Sequence, residues 1–318
     1  MDSGLRSRRN FIGVLAFIAL ITAFARSAAA DEAQLGQPET IPAGRTEMIS
    51  ISANRGPSLA SAVAALSPWR ILPGATLVLH LEDGVYKNDR TLHIDHPDGA
   101  RIQIVGNTHA PEKVRLVWSA NTDGIYVGTS NALGRLDGVT LYRNVPGGND
   151  NGASDNACGL LAENAGVLQA GPAVVVDGFY YGAQARYGGV IRAHGVLVRH
   201  AGDAGFFAYN GGHIEAQGSR AEDSSDAKLS LGSGYVAEYG GSLDATGATA
   251  VGNALAGFTA LSGGSIVAND ATATRNRRYG FYARTNGTIV AHHATASQSG
   301  QGAFDSAENG SITGLEEH

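Results

Sequence analysis

The chain has 318 residues, enough for one sizeable core, and carries a formal charge of −6 at pH 7, which argues against a nucleic-acid partner. Its only cysteine, Cys158, excludes an intrachain disulfide, so stability has to come from packing. Beyond the first thirty residues no stretch approaches the roughly eighteen apolar residues of a spanning helix, so no membrane span is expected in the mature chain.

In chain order, residues 1–30 run from a basic start through the apolar stretch Phe11 to Ala25 to Ser27-Ala28-Ala29-Ala30, the layout of a cleaved signal peptide. Removing it takes away four of the 23 basic and one of the 29 acidic side chains, leaving 19 against 28, a formal charge of −9. Within it Ser7-Arg8-Arg9-Asn10-Phe11-Ile12 resembles the twin-arginine export motif, with Ile12 for the usual Leu and Gly13 for the usual Lys. The resemblance implies a chain exported already folded, to the periplasm or beyond. Residues 31–54 carry Gly, Pro, Glu and Thr without periodicity and are read as a flexible linker, with one domain over 55–318.

Ser58 to Leu66 is expected to form a short amphipathic helix, with Ser58 as N-cap and Leu59, Val63 and Leu66 on one face, capping the N-terminal end of the domain. Then come Thr76 to Leu81, the turn at Asp83-Gly84, and Arg101 to Asn107. Gly124 to Val127 and Val139 to Leu141 follow as less regular units.

From there a repeat takes over. Leu168, Ile191, Ile214, Leu243, Ile266, Ile289 and Ile312 are spaced by 23 residues, except for one step of 29 that absorbs an insertion around Lys228 to Ser233. Two residues before each stands a glycine (Gly166, Gly189, Gly212, Gly241, Gly264, Gly287, Gly310), expected to serve a tight corner with positive φ. Two residues after the first six come Ala170, Ala193, Ala216, Ala245, Ala268 and Ala291, on the same face of a strand. A second strand starts at Gly159, Gly182, Gly205, Gly234, Gly257 and Gly280 and carries a ladder of Phe206, Tyr235, Phe258, Phe281 and Phe304. A third short strand carries Val175, Val198, Ala221, Ala250, Ala273 and Ala296. Three strands per coil make a triangular solenoid, in which each coil buries its apolar face only by stacking on its neighbours. Left-handed β-helices use a hexapeptide pattern of about eighteen residues per coil, so the period favours the right-handed type.

At this point the chain resembles the pectate-lyase-like superfamily of right-handed parallel β-helices, over nearly all of its mature length. The resemblance implies an all-β, right-handed parallel β-helix solenoid of about 23 residues per coil, with a short N-terminal capping helix, and a polysaccharide as partner. The chain lacks the Gly-His-Gly and paired-Asp motifs of polygalacturonases, the Asp-Pro-His-Asp of alginate epimerases and the Gln-Asp-Thr-Leu of pectin methylesterases. No Gly-x-Ser-x-Gly, His-Glu-x-x-His or Cys-x-x-Cys is present either, so no cofactor or metal is expected and no catalytic residue stands out. His194 and His292 share a column but lie four coils apart, about 19 Å, too far for one metal.

The outward face of the aromatic-ladder strand remains. Glu163, Arg186, Tyr209, Glu238, Leu261 and Arg284 should form one column along the axis, and Gln184, Phe207, Val236, Thr259, Tyr282 and Asp305 the next. Rings stack on sugar faces and arginines pair with uronate carboxylates, which makes Glu163, Arg186, Tyr209, Glu238, Tyr282 and Arg284 the candidate substrate-binding residues. The plainer reading is cross-strand pairing of Glu163 with Arg186 beside ordinary exposed aromatics. The insertion Pro146 to Asn156, leading to Cys158, is a long loop on a rigid scaffold, and the irregular coils from Gly124 to Gly205 beside it are where catalysis is to be sought. Two functions compete: an exported protein that binds or modifies an acidic polysaccharide, as a lyase or epimerase, and a non-catalytic structural or adhesive cell-surface protein. The last coil shows no capping helix, so self-association through this open C-terminal coil is a further expectation.

Overall fold

The computed structural model describes residues 24–26, 36–144, 157–225 and 232–314. They wind into a parallel β-helix of three long sheets, one of twelve strands and two of nine. Each coil visits the sheets in the same order, which we call sheet 1, sheet 2 and sheet 3. The first full coil uses Thr76–Leu81, Gly84–Asn88 and Leu92–Ile94, the next Ile102–Val105, Val114–Trp118 and Ile125–Val127. The 23-residue period is the stacking register. Leu168, Ile191, Ile214, Leu243, Ile266, Ile289 and Ile312 are consecutive partners in sheet 1, and all but Ile312 are almost completely buried.

The ladder in sheet 3 is a continuous stack of rings. Phe206, Tyr235, Phe258 and Phe281 follow one another at 4.9, 4.7 and 4.8 Å with planes within 7° of parallel, and Phe304 continues the stack at 5.1 Å. Strand spacing sets this distance. The Tyr235 hydroxyl, buried in the stack, is satisfied by Ser219 Oγ at 3.0 Å and the Thr249 carbonyl at 3.3 Å. A polar ladder runs at the corner between sheets 2 and 3, where Asn253 Nδ2 donates to Asn276 Oδ1 at 2.9 Å and Asn253 Oδ1 accepts from the Ser224 N–H at 3.0 Å. Both asparagines are buried, and each bonds backbone that the corner would otherwise leave unsatisfied.

The glycine column has a different cause from the one expected. Gly212 and its equivalents do not carry positive φ; the left-handed residues are the two before, Asn210 (φ 46°) and Gly211 (φ 75°) in that coil. A Cβ on Gly212 would run into the Ala185 carbonyl of the preceding coil, so close approach between coils selects glycine there.

At the N-terminal end, Ser58 Oγ accepts from the Ser61 N–H at 3.1 Å and caps the helix Leu59–Ala65, whose Leu59, Ala62 and Val63 are buried, with Leu66 and Trp69 beyond them. The helix covers the end of sheet 3, but sheet 1 continues past it. The linker expected over 31–54 is corrected here. Thr46–Ile51 pairs in parallel with Thr76–Leu81, Thr40–Ile41 pairs with Arg70–Ile71, and Ile41, Ile49 and Ile51 are buried in the core. The alternation Ile49-Ser50-Ile51 is a strand signal that the surrounding Gly and Pro obscure. Phe24–Arg26, inside the stretch read as a signal peptide, adds one more strand against Thr46–Ile51; the rest of that stretch lies outside the described residues. At the other end Thr295–Ser297, Gly302–Ala307 and Ser311–Thr313 are the last strands of the three sheets among the described residues, with Phe304 and Ile312 only partly buried.

The helix junction contains a buried titratable group. His96 is 4% exposed and its Nδ1 accepts from the Asp98 N–H at 2.9 Å. Burial holds its pKa below the ordinary 6.5, with Asp98 and the carbonyls of Leu66 and Trp69 pulling the other way. The unfolded chain therefore binds this proton more readily than the folded one. The stability contribution is intact above 6.5 and is lost as pH falls below it toward the depressed folded value. We expect the thermal midpoint to drop between about pH 8 and about pH 5, and His96→Gln to reduce that drop. An unchanged pH profile in the variant would exclude His96 as its source.

Candidate functional site

A six-residue strand of sheet 3 presents its first, fourth and sixth side chains outward, because the second is a glycine turned toward the core. The sixth positions form the expected column: Glu163 pairs with Arg186, Arg186 with Tyr209, Tyr209 with Glu238, Glu238 with Leu261 and Leu261 with Arg284. The column is not one site. Arg186 Nε donates to Glu163 Oε2 at 2.6 Å, whereas Arg284, four strands and about 19 Å away, pairs with Glu308 in solvent and reaches Tyr282 at 3.5 Å. The Arg284 bond holds the Glu308 carboxyl below its usual range. Glu238, between the two, is held above its usual range by burial and eased back by Ser262.

The fourth-position column is corrected. Gln184, Phe207, Val236 and Thr259 are 3%, 6%, 9% and 1% exposed, so they are not the floor of an open groove. Phe207 packs with Ala204, Val236 and the rings of Tyr181 and Tyr209 in a second small apolar cluster outside the main core. Only Tyr282 and Asp305, toward the end of this column, are partly open.

Around Arg186 the outward side chains of three successive coils form one hydrogen-bonded network. Glu163 accepts from Arg186, from the Tyr126 hydroxyl at 3.0 Å and from Asn164 Nδ2 at 3.4 Å. Arg186 Nη1 reaches Gln184 Oε1 at 3.4 Å, the same oxygen that the Cys158 thiol approaches at 3.3 Å. The Cys158 N–H donates to Asp123 Oδ1 at 2.7 Å. This leaves Arg186 Nη2 without a hydrogen-bond partner among the described residues. Burial pushes the Asp123 carboxyl above its usual range, and the Cys158 N–H and Arg186 pull it part-way back. Burial likewise raises the Tyr126 phenol and the Cys158 thiol, which is packed out of solvent. A carboxyl kept protonated beyond its normal range, a phenol and a guanidinium with a spare donor are the parts of a proton-transfer site beside an anion.

Beside the network runs a strip of three tyrosines. Tyr187 and Tyr239 flank Tyr209 at 6.5 and 5.5 Å between ring centroids, and are 49% and 54% exposed. Both take left-handed backbone, φ 52° and 49°, at the turn position where other coils place Asn164, Asn210 or Ser262. A bulky side chain is costly in that conformation, of order 1–3 kcal/mol, and here it occurs twice on one surface.

Of the residues in this network and strip, Glu163, Arg186 and Tyr209 stand out in the sequence, whereas Asp123, Tyr126, Tyr187 and Tyr239 do not. A signal for Asp123 is present, since it stands immediately before Gly124, where other coils carry Cys158, Tyr181, Ala204, Ser233 and Ala256. An acid in that column breaks the pattern. Tyr126 depends on a neighbour that sequence does not reveal. A Cβ on Gly128 would strike the Tyr126 ring and hydroxyl, so glycine there leaves room for the ring to lie beside Glu163. We expect Gly128→Ala and Tyr126→Phe each to cost about 1 kcal/mol in urea unfolding, and the double variant little more than either alone, because both remove one bond. Full additivity would separate the two residues.

The insertion Pro146 to Asn156 lies outside the described residues. It joins Val139–Arg143 in sheet 2 to Cys158–Glu163 in sheet 3, and the 226–231 segment joins the same two sheets. Among the described residues no three metal-ligating side chains converge, and no helix is long and apolar enough to cross a membrane. No protein-family model, curated protein or solved structure matches the chain.

Proposed function

We propose that this is an exported β-helix protein that binds and modifies an acidic polysaccharide, the reaction being proton transfer next to a uronate carboxylate, as in a lyase or an epimerase. The observation that carries the reading is the tyrosine strip abutting the Arg186 network. In this reading the rings of Tyr187, Tyr209 and Tyr239 take sugar faces, the spare Nη2 of Arg186 takes a carboxylate, the Asp123 acid supplies a proton, and Tyr126 accepts one as it passes its own hydroxyl proton to Glu163. The resemblance to pectate-lyase-like solenoids and the twin-arginine-type leader support a polysaccharide outside the cytoplasm. Cleavage after Ala30 would also remove the strand Phe24–Arg26 and leave Thr46–Ile51 as the end of sheet 1.

The closed pairing of Glu163 with Arg186 and the near-perfect repeat from Gly234 onward favour the second reading, a non-catalytic adhesive or structural solenoid. Incubation with uronate-containing and neutral polysaccharides separates them. Chain shortening, unsaturated-uronate absorbance or a change in uronate stereochemistry supports the enzyme, and retention on immobilised glycan without reaction supports the adhesive protein. Silence throughout would end the polysaccharide reading. Asp123→Asn keeps an oxygen for the Cys158 N–H but cannot carry the proton, so we expect it to fold normally and to lose turnover about a hundredfold or more. Because burial raises the Asp123 carboxyl, any step that needs its acid form should persist above the usual carboxylate range and fall as pH rises through the raised value.

A further inference from the structure

We infer that the cleft between the N-terminal helix and the first strand of sheet 3 receives the end of the glycan chain, so that the protein acts from chain ends and not along the middle of a polymer. This rests on the polysaccharide reading above and specifies how the substrate is presented.

The topology creates a stop. Sheet 1 continues past Thr76–Leu81 to Thr46–Ile51, but among the described residues sheet 3 ends at Leu92–Ile94. In the coil where its next strand would lie, the chain forms the helix Leu59–Ala65, which packs against Leu92–Ile94. A polymer lying along sheet 3 therefore meets the flank of a helix instead of a further flat coil.

At that junction is a cleft of about 340 Å³, at the small end of ligand-binding clefts. Ala60, Ala64 and Ser67 line its helix side, and Arg90, His93 and Asp95 its sheet side. Small apolar side chains facing a cation, an acid and an imidazole suit a sugar ring that carries hydroxyls and a carboxylate. The cleft is also connected to the candidate site. His93 and Tyr126 are direct partners in sheet 3 with rings 5.0 Å apart, and the Tyr126 hydroxyl bonds Glu163. Leu92–Ile94 lies two strand spacings from Cys158–Glu163, about 10 Å, the reach of a couple of sugar rings.

The test measures binding of oligogalacturonate and oligoalginate fragments of graded length, each with its ends free and with either end blocked by a bulky fluorophore. Blocking one particular end should weaken binding about tenfold or more, and blocking the other should have little effect. Ala64→Trp, which fills the cleft from an exposed helix position, should weaken the free-ended fragments by a similar factor and remove the penalty for blocking. Arg90→Ala, a change to an exposed side chain, should act in the same direction if the tryptophan variant does not fold. Equal binding of blocked and free fragments, or variants that bind as the parent does, would overturn the chain-end assignment and leave the polysaccharide reading in place. If no fragment binds the parent protein, the polysaccharide reading fails and the inference fails with it.

Discussion

Phe258→Ala should lower the free energy of unfolding by about 3–5 kcal/mol, the range for deleting a fully buried aromatic ring. The ring is 0% exposed and stacks on Tyr235 at 4.7 Å and Phe281 at 4.8 Å, so its loss leaves a gap in a ladder that cannot close without moving whole coils. In a solenoid each coil is stabilised by its neighbours, so the damage concentrates at one interface. Hydrogen exchange should then show the strands from Ala256–Leu261 onward losing protection before those nearer the N-terminus. A loss below about 1 kcal/mol in urea unfolding would mean that the ring stack contributes less than its burial implies.

Arg186→Ala should reduce affinity for an acidic glycan about a hundredfold or more, equivalent to about 2.7 kcal/mol. Arg284→Ala should change it little, because Arg284 is about 19 Å away and pairs with Glu308 in full solvent. Although the two arginines share a column in the sequence, the network places the expected effect on one of them. Arg186→Ala also leaves Glu163, 15% exposed, with Tyr126 and Asn164 as partners, so a stability loss of about 1 kcal/mol should accompany the binding defect. Arg186→Lys separates the two effects, since it keeps the charge but loses the fork that serves Glu163 and a ligand together. If the lysine variant bound like the parent, simple charge attraction would account for binding without the guanidinium fork. If the alanine variant did so, this face would not be the binding site.

The stacking of the coils is legible in the sequence alone. In a coil of constant length, residues 23 apart fall in one column, and a column that repeats Ile, Ala, Phe or Gly can be assigned to the core, to a close approach or to a ring stack from its spacing alone. Ser58 as a helix cap and Glu163 beside Arg186 follow from the same local rules. Whatever depends on two columns at once, or on what lies above the surface, required the tertiary structure. Asp123 and Arg186 belong to different columns and join one network through Cys158 and Gln184. Phe207 and Thr259 alternate outward as expected and yet are buried, because alternation sets the direction of a side chain and not its exposure. Gly212 is recognisable from its column as obligatory, but its reason, the Ala185 carbonyl in the preceding coil, is a through-space contact. Ile49 and Ile51 look like linker in the sequence because two apolar residues are too short a pattern to declare a strand, and what makes them one is the waiting edge of Thr76–Leu81.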